Sequence, residues 1–163
     1  MYILDDKMID GLCHQADFSS RRRQHFNIHS SYQESCQRLL NAIQPNSYIP
    51  PHRHSVADKQ ELLVAIRGVF SLITFDDDGG LVQSVCFGTE KYSEYLCTNV
   101  GVEIPSGTWH TVIAMQANSV LLEIKEGPFD ANVSKEFALW APQVGSSRVD
   151  SFMAKCYKFA EVN

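Results

Sequence analysis

The stretch PPHRHSVADKQELLVAIRG, from Pro50 to Gly68, combines an extended segment, a polar loop and an apolar run. Its two prolines keep the chain extended, because proline fixes its own backbone and disfavours helix in the residue before it. His52 and His54 are two residues apart in this extended segment, and residues with that spacing in a strand point to the same face. The stretch therefore predicts a β-strand that directs two imidazoles towards one point.

The chain beyond residue 47 continues as short apolar segments separated by turn residues, with no helical pattern between them. The segments are ELLVAIRG (61–68), VFSLITF (69–75), LVQSVCF (81–87), VGVEIP (100–105), HTVIAM (110–115) and VLLEIKE (120–126). The run DDDGG, residues 76–80, has the composition of a hairpin turn. Many short strands of this kind are typical of a sandwich or barrel, so we predict a barrel over residues 45–127.

The two ends of the chain have weaker patterns. Residues 1–30 form a mixed lead-in, and residues 31–44 predict a short helix that Ser30 or Ser31 caps and Pro45 ends. The apolar face of this predicted helix consists of Cys36, Leu39, Leu40 and Ile43. Residues 128–163 predict an extension that packs on the barrel, in which FMAKCYKFA (152–160) forms either a helix or a strand. We expect a single domain overall.

Composition excludes several functional classes. The chain has 163 residues, 44% of them hydrophobic and 20% charged, with a formal net charge of −5. An acidic balance disfavours a broad nucleic-acid surface and attraction to anionic membranes, and no apolar run is long enough to span a bilayer. The five cysteines are odd in number and include no C-x-x-C pair, and the N-terminus lacks the pattern of a signal peptide. We therefore expect reduced thiols and a cytoplasmic protein.

Two further residues complete a candidate metal site with His52 and His54. Glu61 begins the next predicted strand, and His110 begins another after the turn PSGTW. Three imidazoles and one carboxylate suit a single divalent transition metal ion such as Fe, Mn, Zn, Ni or Co. Four such ligands on an octahedral ion leave two positions open, which is typical of a catalytic or ligand-binding metal. The histidines of an isolated H-x-H pair are hydrogen-bonded in the core or exposed on the surface as often as they bind a metal. The spacing of the other candidate ligands therefore decides between these interpretations.

That wider spacing resembles the two sequence motifs of the cupin family, in which an H-x-H and a glutamate precede a glycine and a P-x-G-x-x-H follows. The matching residues are His52, His54, Glu61 and Gly68 in the first motif, and Pro105, Gly107 and His110 in the second. The resemblance implies an all-β cupin double-stranded β-helix, a jelly-roll barrel, here with a short N-terminal helix. Six residues separate His54 from Glu61, where the family has three or four, and Asp58 lies at the shorter distance. Glu61 or Asp58 is therefore the carboxylate ligand, and the intact spacing to Gly68 favours Glu61.

A closer resemblance extends over roughly residues 20 to 145. The runs QRLLNAIQPNSYIPPHRH (37–54), GTWHTVIA (107–114) and EIKEGPFDANVSKEFALWAP (123–142) are similar to the WbuC-type cupin-fold metalloproteins. Genes for that family typically lie among bacterial O-antigen polysaccharide genes. The resemblance implies a bound metal ion and supplies no reaction.

Five residues are candidates for binding a substrate. Glu123 and Lys125 lie on the same face of the predicted strand VLLEIKE. This face either lines the barrel or points outward and carries a salt bridge. Arg23 and His29 precede the barrel, in a segment that either folds over its mouth to contact an anion or is a flexible lead-in. Tyr48 is an aromatic candidate for a pocket wall. Trp109 should face away from its neighbour His110 if the strand is regular.

These features favour a metal-dependent cupin that acts on or binds a small polar carbohydrate-type or acidic metabolite. Isomerisation, epimerisation and elimination all suit such a site, and an iron-dependent dioxygenase would use the same ligands. A non-enzymatic metal-dependent binding or sensor module is the alternative from another class, so the sequence leaves open whether the protein is an enzyme. Fold analogy predicts a homodimer.

Overall fold

Two five-stranded antiparallel sheets face each other and form the body of the protein. The structure is a computed structural model, and it describes residues 3–54, 60–89, 97–130 and 135–162. The elements in chain order are α1 (Asp6–Phe18), β1 (Arg23–Asn27), β2 (Cys36–Ile43), β3 (His52–Arg53), β4 (Glu61–Arg67), β5 (Val69–Phe75), β6 (Leu81–Gly88), β7 (Gly101–Ile104), β8 (Trp109–Ala114), β9 (Ser119–Glu126), β10 (Glu136–Phe137) and α2 (Val149–Val162). The first sheet has the order β1-β2-β9-β4-β7 and the second β10-β3-β8-β5-β6. This architecture confirms the predicted all-β jelly-roll barrel of the cupin type.

Three apolar clusters hold the layers together. The central cluster lies between the sheets and includes Leu63 and Leu121 from the first sheet and Phe70 and Phe87 from the second. Helix α2, at the end of the chain, adds Met153 and other residues to a second cluster on the outer face of β5 and β8. Helix α1 packs on the outer face of the first sheet. Strands in the middle of each sheet are therefore buried on both faces.

The helix predicted over residues 31–44 is wrong, because residues 36–43 form strand β2. Leu40 and Ala42 pack against α1 on one face of β2, whereas Leu39 and Ile43 line a cavity on the other. Apolar residues on both faces remove the alternation that marks a strand and leave spacings that imitate a helix. The expected cap at Ser31 makes a turn instead, since its carbonyl accepts the Glu34 amide at 3.1 Å.

The lead-in of residues 1–30 and the C-terminal extension are also more ordered than the sequence indicated. Helix α1 begins at the cap residue Asp5, whose carboxylate accepts the Met8 amide at 2.9 Å. Strands β1 and β2 extend the first sheet and β10 extends the second, so the barrel reaches beyond the predicted range 45–127. The run 152–160 is helical, as part of α2. Among the described residues, no helix is long and apolar enough to cross a membrane.

A substitution at Gly68, in the tight connection between β4 and β5, should destabilise the fold. Gly68 has a φ of 77°, and a Cβ added there would lie 2.2 Å from Ser119 Oγ and 3.0 Å from Ser119 Cα. Gly145 has a similar φ of 82° but no atom near its added Cβ, so Gly145→Ala isolates the backbone strain. Such strain costs about 1–3 kcal/mol. Urea denaturation should show a larger loss of unfolding free energy for Gly68→Ala than for Gly145→Ala; equal losses would contradict the close contact.

Candidate metal centre and its cavity

The four predicted ligands His52, His54, Glu61 and His110 come together between the two sheets. Each contributes one ligand atom, and these atoms all lie within 4.8 Å of one another. All four side chains are buried. The alternative carboxylate, Asp58, lies outside the described residues, whereas Glu61 is in position beside the imidazoles.

Strand pairing brings the cluster together. His52 of β3 is the register partner of His110 of β8 in the second sheet, and Glu61 begins β4 in the first sheet. The turn before β8 holds the chain at His54, whose carbonyl accepts the Gly107 amide at 3.0 Å and the Ser106 hydroxyl at 3.1 Å. The P-x-G-x-x-H turn thus supplies His110 and also fixes the backbone of another member of the cluster.

Backbone carbonyls set the tautomers of two histidines. His52 Nδ1 lies 3.0 Å from the Pro50 carbonyl oxygen, and His110 Nδ1 lies 2.8 Å from that of Thr108. A carbonyl only accepts, so Nδ1 carries the proton in each ring and Nε2 of the neutral ring holds a lone pair. Metal-binding histidines are oriented by this kind of contact.

One contact inside the cluster calls for a cation. His110 Nε2 is buried without a hydrogen-bond partner among the described residues, and it lies 3.3 Å from Glu61 Oε2. His54 Nε2 lies 3.2 Å from the same oxygen. A nitrogen lone pair and a carboxylate oxygen repel each other at this distance, so the contact is favourable when either a proton or a metal ion lies between the two atoms. The donor set of three imidazoles and one carboxylate therefore fits a divalent transition metal ion.

The protonation states also suit metal binding. Burial would raise the pKa of Glu61, but the adjacent His110 and His54 imidazoles hold it well below 4.5, so the carboxyl stays ionised. Burial, followed by the charge of Lys135, lowers the pKa of His52 well below 6.5, so this ring stays neutral. A metal ion binds a deprotonated carboxylate and neutral imidazoles.

A cavity of about 370 Å³ extends from the four-residue cluster. This volume lies within the range of small-molecule sites in proteins. Four of the five predicted substrate residues line it: Arg23, His29, Glu123 and Lys125. Tyr48 does not, because its ring packs against Phe152 and its hydroxyl donates to the Pro142 carbonyl at 2.6 Å. The prediction for Tyr48 is corrected on this ground.

Glu123 and Lys125 face inward and form a chain of polar contacts with the cluster. Lys125 Nζ pairs with Glu123 and lies 4.0 Å from Glu61 Oε1, and Asn41 donates to Glu123 Oε2 at 2.7 Å. Burial would lower the pKa of Lys125, but the charges of Glu123 and Glu61 raise it, so the ammonium stays protonated. Of the two orientations that the sequence allowed, the structure has the inward one.

Several polar residues of the cavity were not predicted from the sequence. His25 lines it beside Arg23, and alternation along β1 would have indicated this. Asn41 lies in the segment that was wrongly predicted as a helix. No sequence pattern around Lys135 indicates that it lines the cavity. Trp109, as expected, faces away from His110: its Nε1 donates to Asp77, and it packs beneath the Arg53 guanidinium.

The sequence matches the family described as "Domain of unknown function (DUF6016)" over residues 4–87, slightly more than half of the 163 residues. The matched range contains His52, His54 and Glu61 and ends before His110. No curated protein matches the sequence.

Solved structures with the same fold have little sequence similarity to this chain. CapF with the inhibitor 3-isopropenyl-tropolone is 16% identical with a TM-score of 0.55, over 73% of this chain and 32% of CapF. A conserved protein of unknown function from Streptococcus pyogenes is 10% identical with a TM-score of 0.51, over 79% of this chain and 90% of that one. Oxalate decarboxylase from Lactobacillus farciminis, in a formate complex, is 15% identical with a TM-score of 0.50, over 71% of this chain and 31% of the decarboxylase. At sequence identities this low, the structural similarity establishes only that the fold is shared.

Protein freed of metal by chelation should lose stability as the pH falls from about 7 to about 5. The pKa of His52 is held well below 6.5 in the folded protein, so the unfolded chain binds a proton in this window and the folded protein does not. The free energy of unfolding therefore decreases with falling pH, which urea denaturation measures. His52→Gln removes the titrating ring and should flatten part of the slope; an unchanged slope would refute the assignment to His52.

Proposed function

The chain belongs to the DUF6016 family, and we propose that its cupin barrel binds one divalent transition metal ion through His52, His54, Glu61 and His110. We propose further that it uses this site to bind or convert a small polar metabolite of the carbohydrate or organic-acid type. The observation that carries the proposal is the convergence of four buried ligand atoms within 4.8 Å of one another. The contact between His110 Nε2 and Glu61 supports it, because a metal ion bound by both atoms would satisfy a buried nitrogen that has no hydrogen-bond partner among the described residues.

A bound ion of this class would supply a Lewis acid for an oxygen of the ligand. The other polar side chains of the cavity have roles that follow from their contacts. Lys125 is charged and offers N–H donors to an anionic ligand oxygen, while Glu123 fixes the ammonium in position. Asn41 in turn fixes the Glu123 carboxylate. Leu63 and Val112 line the same cavity and keep water from part of the site.

The ligand class rests on the polarity of the cavity and on the resemblance to WbuC-type cupins. Amide, imidazole, ammonium and carboxylate groups together suit a molecule with several hydroxyl or carboxyl groups. The resemblance supports a role in surface-polysaccharide metabolism, with isomerase, epimerase or lyase chemistry. By fold analogy we also propose a homodimer, and light scattering of the purified protein measures its mass directly. The free cysteines support the further proposal of a cytoplasmic location.

Metal analysis of variants tests the proposal. Protein purified without chelator or added metal should contain close to one transition metal ion per chain, and His52→Ala and His110→Ala should each lower the content at least about tenfold. Lys125→Met is the matched control, because this residue lines the same cavity but is not a proposed ligand. Full metal content in the histidine variants, or a wild-type protein without metal, would refute the metal site.

Thermal shifts with sugar acids and nucleotide sugars then test the ligand class. A ligand that binds only the folded protein raises the melting temperature by mass action. The shift should disappear with chelator and weaken in Lys125→Met while the metal content stays unchanged. A shift with turnover identifies an enzyme, and a shift without turnover identifies a binding module. A shift of equal size in Lys125→Met would contradict the role of this lysine.

A further inference from the structure

Strand β1 presents a row of guanidinium, imidazole and amide side chains to the cavity. Arg23, His25 and Asn27 occupy every second position of the strand and all line the cavity, and Arg21 lines it just before the strand. Phe26, on the opposite face, packs with the cluster beneath α1. This cavity-facing row, which we call the β1 face, lies at the edge of the first sheet.

Arg21 and Arg23, the two positive groups of the β1 face, form no ion pair with the described carboxylates. Neighbouring Arg22 forms an ion pair with Asp17 at 2.7 Å. In contrast, no carboxylate of the described residues lies within ion-pair distance of Arg21 or Arg23. The acidic groups of the cavity, Glu61 and Glu123, are already engaged with the histidines and with Lys125. The two arginines are therefore free to neutralise a bound anion.

Arg23 is held in place by the backbone around it. Its Nη1 donates to the Tyr48 carbonyl at 2.8 Å and to Ser47 Oγ at 3.3 Å, so the guanidinium is oriented before any ligand arrives. Burial and then the charge of Arg21 lower the pKa of Arg23 to about 10. Burial and the same Arg21 charge also lower the pKa of His25. Arg21 and Arg23 are positive groups near each other without a counter-charge, and an anion between them would stabilise both.

We infer that the β1 face is an anion subsite that binds a phosphate or carboxylate group of the ligand, remote from the four-residue cluster. Arginine suits this task, because its planar fork matches the geometry of both groups. Buried His29 lines the cavity next to this face, and its Nε2 has no hydrogen-bond partner among the described residues.

The inference deepens the proposed function and rests on it for the other end of the ligand. Strands β9 and β2 lie between β4, which carries Glu61, and β1. Three strand spacings of about 4.8 Å separate β4 from β1, so the two strands lie roughly 14 Å apart across the sheet, and the register displaces Arg23 and His25 along the strands from Glu61. A ligand that reaches both subsites and has one anionic end belongs to the class of phosphorylated or carboxylated sugar derivatives. Lys125 and Glu123, on β9, would contact its middle.

Binding of inorganic phosphate to protein treated with chelator and then dialysed tests the subsite without any metal. Calorimetry or NMR titration should detect saturable binding to the wild type. His25→Glu places a negative charge on the β1 face and should weaken binding at least about fivefold. Gln24→Glu makes the same change in net charge one residue away, at a position that does not line the cavity, and should have little effect. Arg23→Gln, checked for folding by circular dichroism, should also weaken binding.

His110→Ala separates this inference from the proposed function. The variant should lose metal and still bind phosphate as tightly as the wild type. Failure of the wild type to bind phosphate, or an equal effect of His25→Glu and Gln24→Glu, would overturn the anion subsite whatever the metal analysis shows. A wild-type protein without metal that binds phosphate as described would overturn the metal site and leave the subsite standing.

Discussion

The buried carboxylate of Glu61 is the constraint on which the arrangement of this protein depends. An ionised group between two sheets costs several kcal/mol unless partners compensate for the lost water. Its partners are His54, His110 and Lys125, at 3.2, 3.3 and 4.0 Å. Two of them come from the second sheet and its flank and one from the first, so both sheets must pack in register for the charge to be tolerated. The packing of the two sheets and the geometry of the candidate site therefore depend on each other.

The layers outside the sheets make that register rigid. Helices α1 and α2 cover the outer faces of the two sheets, and every residue of β8 is buried. His110 is therefore fixed by packing on both sides of its strand as well as by the carbonyl that holds its Nδ1. A rigid ligand set needs little reorganisation when an ion binds, which is the usual requirement for a selective metal site.

The sequence predicted the barrel and the four clustered residues because both depend on local rules. Strands β4 to β9 have short apolar runs between turn residues, and two histidines two apart in an extended segment must share a face. Strand β2 was missed because its two faces contact different apolar surroundings, which no local pattern reports. Helix α1 was not predicted, although Ile9, Leu12, Cys13 and Ala16 have helical spacing and Asp5 is a preferred cap residue. Strand β1 pairs with β2, so the β1 face could not be predicted while residues 31–44 were assigned to a helix.

The cavity has two chemically different ends, a cluster suited to a cation and a face suited to an anion. X-ray absorption at the metal edge of the protein as purified tests whether the three histidines bind the ion. We expect a first shell of nitrogen and oxygen atoms, with outer-shell scattering from three imidazoles. Sulfur in the first shell, or a shell of oxygen alone without imidazole scattering, would contradict the assignment of His52, His54 and His110 as ligands.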